Sequence, residues 1–234
     1  GFAEADPTLD VNGADSAHKL AILASLAFGC SINYDDIIFE GINGIDLTDI
    51  QYGKELGYTI KLLAIAEQTD GGLSLRVHPT FVHNHNPLAQ VSGPFNAVSI
   101  FGDAVGQTSY YGRGAGMMPT ASAVVADIID VARGNSQHCF ATAPGFGIPA
   151  DPTPLCPPDK IFSRFYVRIN VSDQAGVFAQ IGTILAKYNI SMSGLLQHES
   201  DNENEVPVVI MTHNANQHDM RLALDELTRL NVVK

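Results

Sequence analysis

A proline-rich stretch between two differently patterned halves most constrains how this chain can fold. Residues 134–160 hold six of the twelve prolines, at positions 144, 149, 152, 154, 157 and 158, and show neither helical nor strand periodicity. Because proline lacks a backbone N–H and fixes φ, such a stretch continues neither a helix nor a central strand and is typical of a linker. The sequence therefore predicts two domains, residues 1–133 and 161–234, joined by a linker over residues 134–160.

The first half opens with helical patterns. Apolar residues recur at helical spacing over residues 13–28, with Asn12 available as the N-cap and Gly29 as the C-terminal stop. Thr48 and Gln51 have the spacing of a capping box, which predicts the start of a second helix. Two helices are thus expected, and the second leads into a sheet.

Strand patterns follow in the same half. Residues 59–67 and 73–82 are apolar and β-branched runs around the turn sequence Asp70-Gly71-Gly72, which predicts a hairpin. Residues 97–101 predict a further strand, and Pro119 fits the first turn of another helix. The first domain is predicted to be α+β, a mixed sheet covered by helices.

The second half reads strand, helix, strand, strand, helix over residues 162–230. This βαββα order is one strand short of a ferredoxin-like unit, and residues 231–234 would be the turn into the last strand. The chain also begins with Gly1 and an acidic segment. We therefore expect an internal fragment that lacks sequence at both ends.

Charge and cysteine usage exclude several classes of protein. The net charge is -12, with 13 basic against 25 acidic residues, which disfavours nucleic acid or anionic membranes as partners. No apolar run reaches the roughly 18 residues of a membrane span, so a soluble cytoplasmic protein is predicted. The three cysteines form no disulfide or zinc pattern, and His78, His83 and His85 are interpreted as loop histidines, so no metal site is expected.

An acidic cluster around one lysine is the first candidate site. Glu4, Asp10 and Asp15 precede or accompany Lys19, and Asp15 and Lys19 stand at i and i+4 on one helix face. One interpretation is a surface ion pair beside a solvated loop. The other is that carboxylates hold a substrate ammonium group while the lysine exchanges a proton with a hydroxyl.

Residues 1–20, GFAEADPTLDVNGADSAHKL, closely resemble the signature segment of homoserine dehydrogenases. The resemblance continues through residues 78–80, 96–98, 102–106 and 112–121. It implies an oxidoreductase that interconverts L-homoserine and L-aspartate 4-semialdehyde in threonine, methionine and isoleucine biosynthesis. It also implies that Lys19 is the catalytic acid/base, assisted by Asp15, and that Glu4, Asp15 and Asp10 bind substrate.

A glycine-rich loop is the second candidate site. Gly112, Gly114 and Gly116 precede a predicted helix, where glycine lets a backbone approach a ligand closely. The family resemblance implies that Gly116 and Gly114 contact NADP or NAD. No dinucleotide-binding G-x-G-x-x-G follows a strand in the chain, so this fold is expected upstream, and the fragment alone is predicted to be inactive.

The turn over residues 170–178 is the third candidate. It could be a plain strand-to-helix connection, with Asp173 near the cap. Together with the βαββ order it resembles an ACT domain, an amino-acid-sensing module, although Ala175 stands where proline is frequent. The resemblance implies a regulatory ligand at Asp173, Gly176 and Val177, with threonine as the expected effector.

Two hypotheses from different classes remain. The favoured one is the dehydrogenase, in its monofunctional form because the ACT-like unit follows the catalytic region, and assembled as a homodimer or homotetramer. Pairing through the first domain's sheet is expected, because apolar runs such as residues 60–66 would otherwise stay partly exposed. The alternative is a non-catalytic regulatory protein that binds an amino acid.

Overall fold

The computed structural model describes residues 6–137, 154–198 and 205–234. The chain forms two compact units. The first comprises Gly1–Glu67 and Leu75–Thr153, and the second comprises Gln68–Ser74 and Pro154–Lys234. Residues 154–160, which the sequence pattern assigns to a linker, therefore belong to the second unit.

The helices of the first unit are α1 (Thr8–Val11), α2 (Ala14–Phe28), α3 (Leu47–Glu55) and α4 (Met117–Ala132). The last three correspond to predicted helices, whereas the short α1 was not predicted. Helix α2 buries one face, formed by Ala14, Ala17, Leu20 and Ala24. The predicted cap is wrong by one residue, because Gly13 and not Asn12 is the N-cap of α2. The Asn12 side chain still accepts a hydrogen bond from the Ala14 N–H at 2.9 Å, and Gly29 ends α2 at φ +63°. The helix predicted over residues 13–28 is confirmed.

The predicted cap of α3 is wrong by two residues. Asp46, not Thr48, is the N-cap: its carboxylate accepts from the Asp49 N–H, and the Asp49 carboxylate accepts from the Asp46 N–H, each at 3.1 Å. The capping box is thus Asp46 with Asp49 rather than Thr48 with Gln51. A carboxylate also complements the positive end of the helix dipole.

Strands β1 (Ile38–Phe39), β2 (Tyr58–Thr69) and β3 (Gly72–His83) form a sheet in the order β1-β3-β2. Strand β1 is parallel to β3, whereas β2 and β3 are joined by a two-residue turn, so the sheet is mixed, as predicted. Helix α3 covers it closely: a Cβ built on Gly53 would lie 2.8 Å from the Phe81 ring.

Strands β4 (Phe95–Gly102) and β5 (Gly106–Arg113) form a separate antiparallel hairpin. Strand β4 confirms the prediction over residues 97–101. Strand β5 was missed, because its sequence GQTSYYGR was interpreted as part of the glycine-rich loop.

The second unit contains β6 (Phe162–Ser163), β7 (Tyr166–Val171), α5 (Val177–Lys187), β8 (Met192–Gln197), β9 (Val206–Thr212), β10 (Ala215–Asn216) and α6 (Gln217–Leu227). The sheet order is β7-β9-β8 with antiparallel pairs. Val233 forms an antiparallel bridge to Val171, on the free side of β7, where a ferredoxin-like fold has its fourth strand. The α+β class and the ferredoxin-like order are confirmed.

The core of the second unit lies between its sheet and its two helices. Five of its residues are at most 1% exposed: Ile181 and Leu185 of α5, Val208 and Ile210 of β9, and Leu227 of α6. Because α5 places residues 177, 181, 184 and 185 on one face, the helical period alone brings them to the sheet.

Two further features bear on the predicted class of protein. No helix in the described part of the chain has the length and apolar character needed to cross a membrane. Cys30 and Cys156 are buried free thiols, and Cys139 lies outside the described residues.

The cap of α3 generates a stability prediction. Asp46→Ala should lower the free energy of unfolding by about 1 kcal/mol, because it leaves the Asp49 N–H without its acceptor. Thr48→Ala, the matched control inside the first turn, should change it by less than about 0.5 kcal/mol. Urea unfolding of both variants measures the difference; an equal effect would show that Asp46 is not the cap.

Candidate functional site

Lys19 and Asp15 are brought together by α2. The Lys19 ammonium donates to the Asp15 carboxylate across 2.5 Å, at the i, i+4 spacing that places two side chains on one helix face. The Lys19 side chain is 64% exposed and that of Asp15 39% exposed. An ion pair this open contributes little to stability, so the pairing chiefly orients the ammonium group.

The other acidic residues are arranged around the start of α1. Asp10 is exposed within α1, and no hydrogen bond or ion pair joins it to Lys19 among the described residues. Asp6 accepts from both the N–H and the hydroxyl of Thr8, and these two bonds lower the pKa of Asp6 below its usual value. Glu4, the other predicted substrate ligand, lies outside the described residues.

Close backbone packing fixes the turn that leads into α2. Val11 accepts a hydrogen bond from the Ile42 N–H at 2.9 Å, and a Cβ on Gly41 would lie 2.1 Å from the Val11 carbonyl oxygen. Gly13, the N-cap of α2, has φ +87°, a left-handed conformation that favours glycine. The position of Asp15, in the first turn of α2, is therefore set by these close backbone contacts together with the buried face of α2.

The predicted cofactor loop follows β5 and is held at its base by aromatic contacts. The rings of Phe95 and Tyr111 stack at 4.9 Å, and the Arg113 guanidinium lies 5.0 Å from the Phe95 ring centre. Gly114 donates its N–H to the Pro94 carbonyl at 3.1 Å, and a Cβ there would lie 1.8 Å from the Asn96 amide nitrogen. A side chain at position 114 would therefore have to displace the Asn96 amide, and the Gly114 N–H already has an acceptor.

Gly116 is the N-cap of α4 and has φ +122°. The first N–H groups of any helix lack acceptors within the helix and carry partial positive charge. In α4 they belong to Met117 and Met118, because Pro119 at the third position has no N–H. The loop therefore fits a ligand with negative charge at Gly116 rather than at Gly114.

The second unit has a surface cleft of about 410 Å³ at the β7–α5 turn. The cleft is lined by all three predicted regulatory residues, Asp173, Gly176 and Val177. Gly176 is the N-cap of α5 at φ +91°, and a Cβ there would meet no atom within 4 Å. The turn therefore opens onto free space at the helix N-terminus.

Gln197 also lines this cleft and was missed by sequence reasoning. It lies at the end of β8, opposite Val208 of β9, whose side chain is in the core beneath the helices. Because directly paired residues share a sheet face, Gln197 is on the side of α5. Nothing local to residues 190–198 indicates this; only the sheet register brings Gln197 to the turn.

The three histidines of the β3 region make local contacts. His78 Nδ1 lies 3.0 Å from the Pro79 carbonyl and 3.1 Å from the Thr80 hydroxyl, and the rings of His83 and His85 stack at 4.9 Å. Among the described residues no three side chains of metal-ligating type are grouped.

Family models match both units. The model for homoserine dehydrogenase matches residues 1–129, and the model for the ACT domain matches residues 165–232. The chain therefore consists of an α+β unit of dehydrogenase type followed by an ACT domain. More particularly, the chain belongs to the homoserine dehydrogenase family.

Curated relatives and solved structures agree. The chain is 45% identical to homoserine dehydrogenase from Helicobacter pylori and 42% identical to that from Pseudomonas aeruginosa, over 100% of this chain and 54% and 55% of those proteins. The structure of a homoserine dehydrogenase from Thiobacillus denitrificans superposes with TM-score 0.89 at 39% identity, covering 99% of this chain and 53% of that one. The chain thus spans about half the length of the relatives it matches.

The conformation of the β7–α5 turn generates a second prediction. Gly176→Ala should lower the free energy of unfolding by about 1 to 2 kcal/mol, because alanine disfavours the left-handed conformation although space is free. Gly182→Ala, inside α5 where the nearest atom to a new Cβ is at 4.0 Å, should raise it by about 0.5 to 1 kcal/mol. Thermal unfolding distinguishes the two; a stabilising Gly176→Ala would contradict the turn conformation.

Proposed function

We propose that this chain forms the catalytic and regulatory part of an NAD(P)-dependent enzyme that interconverts L-homoserine and L-aspartate 4-semialdehyde. The observation that carries the proposal is the Lys19–Asp15 pair, held at 2.5 Å within the segment that matches the homoserine dehydrogenase family. A charged ammonium on a fixed helix face can exchange a proton with a substrate oxygen.

Lys19 is proposed as the general acid in the reducing direction. As the carbonyl carbon of the semialdehyde accepts hydride, negative charge develops on its oxygen, and the Lys19 ammonium donates a proton there. This places stabilisation where charge appears in the transition state. Asp15 orients the ammonium, and Glu4 and Asp10 are proposed to bind the amino group of the substrate.

The nicotinamide cofactor, NADP or NAD, supplies or accepts the hydride when bound. Gly116 is the best candidate for holding the cofactor, because its backbone has φ +122° at the start of α4. Gly114 is proposed to support the loop, since its N–H is taken by Pro94. Without the further part that the longer relatives contain, we propose that this chain alone does not turn over homoserine.

The catalytic role generates a third prediction. In a whole-length homoserine dehydrogenase containing this chain, Lys19→Ala should lower kcat by about 10² to 10⁴-fold with little change in KM, since proton donation acts in the transition state. Lys54→Ala removes an exposed lysine at the end of α3 and should leave both constants unchanged. Near-normal turnover of Lys19→Ala would refute the assignment.

We further propose that threonine, the product of the pathway, binds in the cleft of the ACT domain and inhibits the enzyme. The N–H groups at the start of α5 suit a carboxylate, and the Asp173 carboxylate suits an ammonium group. Gln197 carries both a donor and an acceptor, which suits the hydroxyl of threonine. An amino acid with a small hydroxylated side chain is therefore the ligand class that the cleft fits.

Gln197 generates a fourth prediction, because threonine and valine have nearly the same shape but only threonine has a hydroxyl. Calorimetric titration should show that the wild type binds threonine roughly tenfold more tightly than valine, the difference expected for one hydrogen bond of ~1.4 kcal/mol. Gln197→Leu should abolish this preference. Gln180→Leu, on an exposed position of α5 outside the cleft, should retain it.

Two outcomes of this titration have different meanings. Binding of neither amino acid to the wild type would refute the threonine site. Threonine binding whose preference over valine survives in Gln197→Leu would refute only the role of Gln197.

Assembly and location complete the proposal. We propose a homodimer or homotetramer in the cytoplasm, supported by exposed apolar side chains on β4 and β5, among them Ile100 at 47%, Phe101 at 75% and Tyr110 at 63%. Such a surface favours association with another apolar face. The alternative, a non-catalytic amino-acid-binding protein, is disfavoured because the Lys19–Asp15 pair is present.

A further inference from the structure

Helix α1, which carries Asp10, has no buried anchor of its own. None of its four residues, Thr8–Val11, is buried, and Leu9 is 59% exposed. Helix α2, which carries Asp15 and Lys19, instead buries one face in the first unit. An isolated turn of helix is marginal in water, because it forms too few hydrogen bonds to offset the cost of ordering it. The position of Asp10 therefore depends on contacts from outside α1.

The outside contact comes from residues 40–42, which follow β1. The Ile42 N–H donates to the carbonyl of Val11, the last residue of α1, at 2.9 Å. Across residues 6–137, 154–198 and 205–234, no other backbone hydrogen bond joins α1 to a segment beyond its flanks, residues 6–14. One bond thus fastens α1 to the rest of the unit.

The donor segment is itself fixed by the central strand of the sheet. Phe39 of β1 pairs with Val77 of β3, and the Glu40 N–H donates to the Val77 carbonyl at 2.8 Å. Val77 is 1% exposed, and β3 lies between β1 and β2. Backbone contacts therefore run without interruption from the buried strand β3 through residues 40–42 to α1, all within the first unit.

Glycine at position 41 allows this close approach. A Cβ on Gly41 would lie 2.1 Å from the Val11 carbonyl oxygen and 2.5 Å from Asn12 Cα. Both are backbone atoms, which cannot rotate away as a flexible side chain can. The φ of Gly41 is not in the left-handed region, so its conformation does not require glycine. The missing Cβ alone accounts for glycine at this position.

A side chain at position 41 would displace α1 rather than α2. The collision involves Val11 and Asn12, at the end of α1. Helix α2 is held by its buried face, whereas α1 buries nothing, so the movement that relieves the collision costs less in α1. Asp10 would then shift relative to Lys19, while Lys19 and Asp15 would keep their positions.

We propose that Gly41 is a positioning residue for substrate binding, which holds Asp10 where its carboxylate meets the substrate ammonium group. The proposal rests on the role in substrate binding proposed above for Asp10. Gly41 does not touch the substrate in this mechanism and acts only through the turn at residues 11–13. Hydrogen bonds between charged groups depend steeply on distance and angle, so a small shift of α1 weakens them.

The experiment compares Gly41→Ala with Gly44→Ala in a whole-length homoserine dehydrogenase containing this chain. Both glycines lie in the same loop and neither has a positive φ, but a Cβ on Gly44 would meet no atom within 4 Å. Gly44→Ala therefore reproduces the change in backbone freedom without the collision. Initial rates of homoserine oxidation give kcat, the KM for homoserine and the KM for the nicotinamide cofactor.

We expect Gly44→Ala to behave as the wild type. Gly41→Ala should raise the KM for homoserine about tenfold or more, the size expected when a hydrogen bond between charged groups is lost. Its kcat and its KM for the cofactor should stay within about twofold, because Lys19 remains in place. A fall in kcat with an unchanged KM for homoserine, or equal constants for the two variants, would overturn the proposal.

A double-mutant cycle with Asp10→Ala separates positioning from general damage to the fold. If Gly41 acts through Asp10, Gly41→Ala should add less than about twofold to the KM in the Asp10→Ala background. Independent effects would instead multiply to roughly a hundredfold, and this result would overturn the proposal. A wild-type KM for Asp10→Ala itself would refute the substrate role of Asp10, and the proposal with it.

Asn12 provides a second route to the same turn if Gly41→Ala does not fold, as judged by circular dichroism. Its side chain accepts from the Ala14 N–H at 2.9 Å across the junction between α1 and α2. Asn12→Ala should raise the KM for homoserine, whereas Asn12→Ser, which keeps an acceptor, should restore it. An unchanged KM in Asn12→Ala, or an increase that persists in the Asp10→Ala background, would overturn the proposal.

Discussion

The backbone hydrogen bonds of Leu73 to Pro154 and Cys156 are the contacts on which the organisation of the second unit's first segment depends. They occur only because Gly72 lacks a side chain where the Pro154 carbonyl approaches. The tip of the β2–β3 hairpin, residues 68–74, would otherwise have unpaired backbone groups. Because the Pro154 carbonyl oxygen can approach Gly72 closely, the segment 154–160 packs with the ACT domain in the second unit.

Solvent exposure is the second constraint, and it concerns Lys19, the residue proposed as the general acid. Lys19 is 64% exposed and pairs with Asp15 on an open helix face. Hydride and proton transfer are favoured in sites from which water is excluded, where charges interact more strongly. For the proposed reaction, the surface that encloses Lys19 must therefore be supplied by groups other than those described around α2. The relatives are about twice as long as this chain.

The sequence predicted correctly those helix ends, turns and strands whose sequence patterns span only a few residues. The stop at Gly29, the β2–β3 turn and strand β9 were predicted because capping, turn chemistry and apolar runs are local. The cap of α3 was misplaced, since Thr48 and Gln51 match the capping pattern as well as Asp46 and Asp49 do. Strand β5 was missed, because its two glycines resemble those of a loop and only pairing with β4 makes it a strand.

By itself, the sequence determined the α+β class, the ACT order, the family and the i, i+4 placement of Asp15 and Lys19, because these depend on periodicity and on matching letters. The tertiary structure alone decided that Gln197 lines the cleft beside Asp173 and Gly176, and that the hairpin tip is buried. Both facts depend on strand register and on close backbone approach between segments about 20 to 85 residues apart along the chain. No local pattern encodes such distances, because they result from how whole elements pack.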